Sequence, residues 1–279
     1  QDDDGDGVPD DYDDYPIDPE RAFDVHYYGT LAYEDLWPAK GDYDFNDLII
    51  EYDFWTVQNA DSHIKDFKPT FSCKATGAGF NNGFAIEFPI NTANIANFTS
   101  ADGSILETNL LATVMLFDNA HTEFGLSGFV NTEVGGTTAS PFDVSFEMTL
   151  TNPLNPNTAT WTLPYNPFIF TNNYGYLDNN GRPLEIHLLD MPPTEIGITT
   201  LWGTEDDASI PGSGIYYKTS NNLPWGLHIP TTGWLWPVEK APILKGYLFF
   251  KTWAESGGTI HQDWYLDVPG NLDPTYLYQ

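Results

Sequence analysis

Phe142-Asp143-Val144-Ser145-Phe146-Glu147-Met148-Thr149-Leu150 places an apolar residue at every even position and a polar one at every odd position. Successive side chains of a strand point to opposite faces, so this run predicts a strand with one face in a core and the other toward water. The same period recurs on both sides of it. Phe67, Phe71, Cys73 and Ala75 alternate with Lys68, Thr70, Ser72, Lys74 and Thr76, and Phe84, Ile86, Phe88 and Ile90 alternate with Ala85, Glu87 and Pro89. Leu184, Ile186 and Leu188 alternate with Glu185 and His187, which puts His187 on a polar face. Strands are also predicted over residues 26–33, 48–57, 112–117, 215–219 and 264–268. Half-buried strands of this kind build an all-β fold, an antiparallel β-sandwich of jelly-roll-like character.

Turn residues separate the runs at Asn81-Asn82-Gly83, Gly135-Gly136, Asn152-Pro153 and Asp178-Asn179-Asn180-Gly181. The last also offers oxygen donors for a small cation loop, but Asn-Gly is first of all a hairpin turn. One segment departs from the period of two. Ile243, Tyr247, Phe250 and Ala254 follow helical spacing, with Pro237 upstream and Gly257-Gly258 downstream as a C-cap. This predicts one short helix over residues 241–255, packed on the sandwich. No fixed-length repeat is present, which disfavours solenoids and propellers.

The 279 residues suffice for one large all-β domain or two of ordinary size, and 41% of them are hydrophobic, enough for a core. Forty Asp and Glu stand against ten Lys and Arg, a formal charge of −30. Phosphate contacts need a basic surface, so nucleic acid is not a partner. Cys73 is the sole cysteine, which excludes an internal disulfide and a zinc site of several thiolates, and it reads as a small core residue. No run of eighteen apolar residues predicts a transmembrane helix. The chain begins at the edge of a motif, and we read it as a mature segment with an export signal or a lipid-bearing cysteine upstream.

That motif is Asp2-Asp3-Asp4-Gly5-Asp6-Gly7-Val8-Pro9-Asp10-Asp11-Tyr12-Asp13-Asp14. Asp2, Asp4, Asp6, Asp10 and Asp13 fall at positions one, three, five, nine and twelve of a calcium loop. Gly7 takes the sharp turn at position six, and Val8 offers its carbonyl at position seven. Pro9, Pro16 and Pro19 rule out flanking EF-hand helices. The run resembles a thrombospondin type 3 repeat, with Tyr15 where that repeat carries its disulfide cysteine. We take residues 1–22 as this segment and residues 23–279 as the sandwich domain, with room for an inserted middle subdomain.

A second acidic run, residues 34–47, reads Glu34-Asp35-Leu36-Trp37-Pro38-Ala39-Lys40-Gly41-Asp42-Tyr43-Asp44-Phe45-Asn46-Asp47 and leads into Leu48-Ile49-Ile50. Asp42, Asp44 and Asn46 repeat the one-three-five spacing, with Asp47 adjacent. Unpaired charge at the mouth of a buried strand is costly, so these side chains hold either a metal or a capping network of their own. Asp206 and Asp207 are candidates to reach the same cluster.

Residues 29–38 and 41–48 resemble the LruC domain of bacterial surface proteins, as do Leu201-Trp202-Gly203-Thr204-Glu205-Asp206-Asp207, Asn222-Leu223-Pro224-Trp225 and Trp253-Ala254-Glu255-Ser256-Gly257-Gly258. The resemblance spans about residues 27–267 and implies an exported, often lipid-anchored outer-membrane or cell-surface protein with no established activity. Catalytic spacing is missing: there is no His-Glu-x-x-His, no Gly-x-Ser-x-Gly and no phosphate loop, and the six histidines are scattered. The reading is therefore a non-enzymatic, calcium-binding module outside the cytoplasm, for adhesion or scaffolding, with a surface protein or glycan as partner. Nine Trp, sixteen Tyr and eighteen Phe make a carbohydrate-binding module the alternative. Its platform would be Trp234 and Trp236, two apart on one strand face, against core packing as the plainer account. A glycoside-active enzyme is less favoured.

Overall fold

The computed structural model describes residues 1–172 and 182–279, so the predicted turn at Asp178–Gly181 lies outside the described residues. The chain forms two antiparallel sheets. The larger contains β1 (Phe23–Tyr33), β2 (Leu48–Gln58), β3 (Ile64–Phe67), β4 (Thr70–Ala75), β6 (Ile95–Thr99), β9 (Phe142–Ser145), β10 (Glu147–Leu154) and β13 (Gly226–Ile229). The smaller runs β12 (Leu184–His187), β11 (Asn166–Thr171), β5 (Asn82–Asn91), β8 (Leu111–Phe117), β7 (Ile105–Glu107). This is the all-β sandwich that the alternation predicts.

The apolar positions of both sheets meet between them. Phe71 packs edge-on against Phe84 (5.3 Å between ring centroids) and Phe67 against Phe88 (5.0 Å). Burying each such ring contributes about 1.5–3 kcal/mol. Leu48 and Ile50 of β2 face this core, whereas Ile49 faces a second one on the far side of the larger sheet. The far-side core is filled from residues 230–279, with Trp234, Ile243, Tyr247, Phe250, Trp264 and Leu277 packed on Ala32, Ile49 and Ile229. That double burial explains the unbroken run Leu48-Ile49-Ile50, since a strand covered on both faces need not alternate.

Several expectations are corrected. The strand over 142–150 breaks at Phe146 into β9 and β10, and the one over 67–76 breaks at Lys68-Pro69 into β3 and β4. Proline has no N–H for the ladder, and β2 pairs with β3 on one side of the break and β4 on the other. Residues 215–219 make only isolated bridges, and residues 264–268 form a turn and irregular backbone, with Trp264 buried in the C-terminal core. The predicted helix is two short ones, α2 (Ile243–Gly246) and α3 (Phe250–Glu255). Tyr247 is extended between them and bridges Leu272, while Leu248 donates its N–H to Asn271. A further short helix, α1 (Ala120–Phe124), had no sequence signal that we read.

His187 does not face water. It is fully buried between Phe168 (4.4 Å) and Tyr217 (5.2 Å), because the segment after β12 folds back over this face of the smaller sheet. Burial holds its imidazole below the usual range, and its Nδ1 and Nε2 lie 2.7 Å from Asn166 Oδ1 and 3.1 Å from Glu185 Oε2. This is a satisfied structural histidine.

Candidate metal centre

Residues 34–47 close the hairpin between β1 and β2, whose last pair is Tyr33 with Leu48. The first half of the loop is fastened to distant loops. Trp37 donates its indole N–H to Asp207 Oδ1 (3.0 Å), Lys40 donates its backbone N–H to Asp206 Oδ2 (3.0 Å), and Trp225 donates to the Ala39 carbonyl (2.8 Å). Asp206 and Asp207 thus reach this loop by supporting its backbone and Trp37.

The second half is strained. Gly41, Tyr43 and Phe45 all have left-handed φ (67°, 62° and 54°), which bulky residues adopt only when their surroundings impose it. The C-terminal segment does so. The Tyr43 and Phe45 rings pack on Phe250 (6.1 and 5.8 Å), the Tyr43 hydroxyl donates to the Pro224 carbonyl, and Ile243 donates its N–H to the Tyr43 carbonyl. With the aromatic residues turned into that core, Asp42, Asp44 and Asn46 gather on the opposite side.

There they meet two residues that the one-three-five spacing does not include. One carboxylate oxygen each from Glu34, Asp42 and Asp44 lie within 4.8 Å of one another. Asp44 is held by the N–H groups of Asn46 (3.2 Å) and Lys240 (2.7 Å), and Glu34 Oε1 accepts from Phe45 N–H at 2.5 Å. Asn46 donates its amide to the Pro237 carbonyl (3.1 Å). A Cβ built on Gly77 would fall 1.9 Å from Asn46 Oδ1 and 2.9 Å from Glu239 Oε2, so both oxygens converge over that glycine.

The test of fit is what these oxygens lack. Glu34 Oε2, Asn46 Oδ1 and Glu239 Oε2 are buried and accept no hydrogen bond, and Glu34 and Asn46 are wholly inaccessible to solvent. Among the described residues no ion pair involves Glu34, Asp42, Asp44 or Glu239. Burial, then the Asp44 charge, pushes Glu34 well above the carboxylate range. Burial and Asp42 push Asp44 up to about 8 and Glu239 up to about 7. Convergent, unpartnered, oxygen-only donors fit a hard cation of six to eight ligands, and the absence of His and Cys from the group does not fit zinc.

Asp47 is not brought into this group. Its Oδ2 accepts the Asp35 N–H at 2.7 Å, and the two carboxyls hydrogen-bond each other. Asp35 also accepts from the Asn82 amide at 2.9 Å, and burial raises it to about 6.

In the N-terminal loop, carboxylate oxygens of Asp2, Asp4 and Asp6 also lie within 4.8 Å of one another. Gly5 and Gly7 donate to Asp2, and both take the left-handed φ that a tight loop requires (77° and 99°). Asp4 Oδ2, Asp6 Oδ2 and Asp13 Oδ2 are buried and unpartnered. Desolvation, then the charges of Asp6, Asp13 and Asp2, push Asp4 above its ordinary value. Asp10 closes the loop by accepting from Asp3 N–H (2.9 Å), and Val8 donates its N–H to Asp6. The segment is tied to the body: Asp14 donates its N–H to the Ala22 carbonyl, Tyr15 donates its hydroxyl to Asp24, and Arg21 forks onto buried Asp66.

Trp234 and Trp236 do not form a platform. Trp234 is 3% exposed and stacks on Tyr247 (5.3 Å), and Trp236 stacks on Tyr278 (5.6 Å) and donates to the Asn131 carbonyl.

A crystal structure of a candidate lipoprotein from Bacteroides ovatus shares this fold, with a TM-score of 0.63 at 17% identity over 92% of this chain and 76% of that one. A search of curated proteins finds no match. The family model described as domain of unknown function DUF4842 matches residues 62–265, a range that takes in Gly77 and Glu239 of the centre, and the chain belongs to that family.

Proposed function

We propose that this chain is a non-enzymatic, calcium-binding module at a bacterial cell surface, used for adhesion or as a scaffold. The observation that carries the reading is the set of buried, unpartnered oxygens of Glu34, Asn46 and Glu239 around Asp42 and Asp44. Leaving such groups without a partner costs about 1–3 kcal/mol each, more when they are charged, and a divalent cation supplies the missing partner. The N-terminal loop offers a second set of the same chemistry. Loop sites of this kind suit the millimolar calcium found outside cells. The surface location is supported by the fold shared with the Bacteroides ovatus candidate lipoprotein and by the LruC resemblance. Attachment through a lipid upstream of residue 1 is part of the proposal, in keeping with the shared fold of that candidate lipoprotein. No helix among the described residues is long and apolar enough to cross a membrane.

Isothermal titration of the calcium-stripped chain tests it. Two sites per chain are expected. Asp4→Ala with Asp6→Ala should abolish one and leave the other, and Asp44→Ala should do the reverse. A titration without binding heat, by a chain that other probes show to be folded and free of metal, would sink the reading.

A further inference from the structure

A cavity of about 320 Å³ lies between the C-terminal segment and the loops that follow β12 and precede β13. Its size sits at the lower end of the roughly 300–1,000 Å³ typical of ligand pockets, room for a single ring. One wall is Trp253 of α3, half-buried, which packs on Phe250 and Trp264 (5.6 and 5.2 Å). Gly257 and Gly258 border the indole without side chains: a Cβ on Gly258 would already touch Trp253 Nε1 at 3.6 Å. Leu188, Leu189 and Met191 also line the cavity, making it mainly apolar.

Its polar groups are few. Asp190 and Lys218 form an ion pair of 2.8 Å, Asn222 lines the same cavity, and His228 has Nε2 2.7 Å from the Tyr52 hydroxyl. A purely apolar ligand would strip water from the ion pair without replacing its hydrogen bonds, which is costly. A phosphate or polyanion would meet a chain of formal charge −30, with the lysine here already paired. A pyranose ring meets both demands, with a C–H face for the indole and vicinal hydroxyls that can bond carboxylate, ammonium and amide together.

The geometry points to this cavity as a binding site for one neutral hexopyranose unit, stacked on Trp253 with its hydroxyls on Asp190, Lys218 and Asn222. Saturation-transfer NMR on the intact chain in calcium-containing buffer, with a panel of methyl hexopyranosides of gluco, galacto, manno and N-acetylated type, tests it. Transfer to the ring protons of at least one sugar is expected. Leu189→Trp adds bulk at the mouth without removing buried packing, because Leu189 is partly exposed (36%). Asp190→Asn removes the charge but keeps the oxygen that accepts the Tyr216 N–H (3.2 Å) and a side chain that tolerates the left-handed φ of 60°, so both variants should weaken binding by roughly tenfold or more while keeping the melting temperature. Trp253→Ala should abolish binding, but it also loosens the C-terminal core, so the two mouth variants decide. No transfer to any sugar, unchanged transfer in both mouth variants, or uptake of indole with every sugar excluded would each overturn the assignment.

Discussion

Chelation of calcium with EDTA is expected to lower the melting temperature by about 5–10 °C near pH 8 and far less near pH 5. The size follows from linkage: a ligand at a hundred times its Kd stabilises by about 2.7 kcal/mol, and each kcal/mol moves a chain of this size by about 2–4 °C. The pH dependence follows from the carboxylates of the centre. In the metal-free fold Asp44 titrates at about 8 and Glu239 at about 7, against ordinary values of 3.8 and 4.5. Between those limits the folded state binds more protons than the unfolded one, so metal-free stability falls as pH rises. The cation needs the deprotonated carboxylates, so its contribution grows through the same window. Differential scanning fluorimetry across pH, with calcium and with EDTA, should show two curves that meet at acid pH and diverge above neutrality. Parallel curves would place the calcium effect elsewhere than on the buried carboxylates.

Gly77→Ala is expected to remove calcium from the buried centre and destabilise the chain by about 1–3 kcal/mol, while Gly79→Ala changes either by little (within about 0.5 kcal/mol in stability). The two glycines lie two residues apart after β4, and neither has the left-handed φ that would strain an alanine. They differ in what a Cβ would meet. At Gly79 there is open space, whereas at Gly77 the methyl would lie 1.9 Å from Asn46 Oδ1. Asn46 is fully buried and its amide is tied to the Pro237 carbonyl, so it cannot swing away without giving up that bond. Titration calorimetry should find the Gly77→Ala chain with the N-terminal site alone, and retention of both sites would show that Asn46 and Glu239 do not hold the ion.

The alternation of Phe84, Ile86, Phe88 and Ile90 was legible because that side of β5 faces the sandwich core, although Ala85 and Glu87 on its other side are buried as well. A strand covered on both faces need not keep the period. Every residue of β11, from Asn166 to Thr171, is buried, and no strand was read there. The single helix over 241–255 divided because Leu248 N–H and the Gly246 carbonyl, on either side of Tyr247, bond to Asn271 and Asp273, partners that helical spacing does not show. The centre shows the same boundary. Asp42, Asp44 and Asn46 were visible as a spacing, since neighbours in a tight loop must share a side. Glu34 carried a weaker signal, its place at the start of the same acidic run. Glu239 carried none, because Lys240 and Asp44, whose contact brings it in, are 196 residues apart. Trp234 and Trp236 share a spacing, but that spacing could not say that residues 230–279 cover the far face of the larger sheet.

The loop of residues 42–46 is held by partners near the other end of the chain, at Pro237, Lys240, Ile243 and Phe250. A site assembled from such remote parts is complete only after Lys240 has met Asp44 across a separation of 196 residues. A cation bound there as proposed would have little to bind on the way to the native state, and its influence would fall on the way out. On the proposed reading, calcium at this centre is expected to act as a brake on unfolding with scant effect on the folding rate, so that what it would give the chain is longevity.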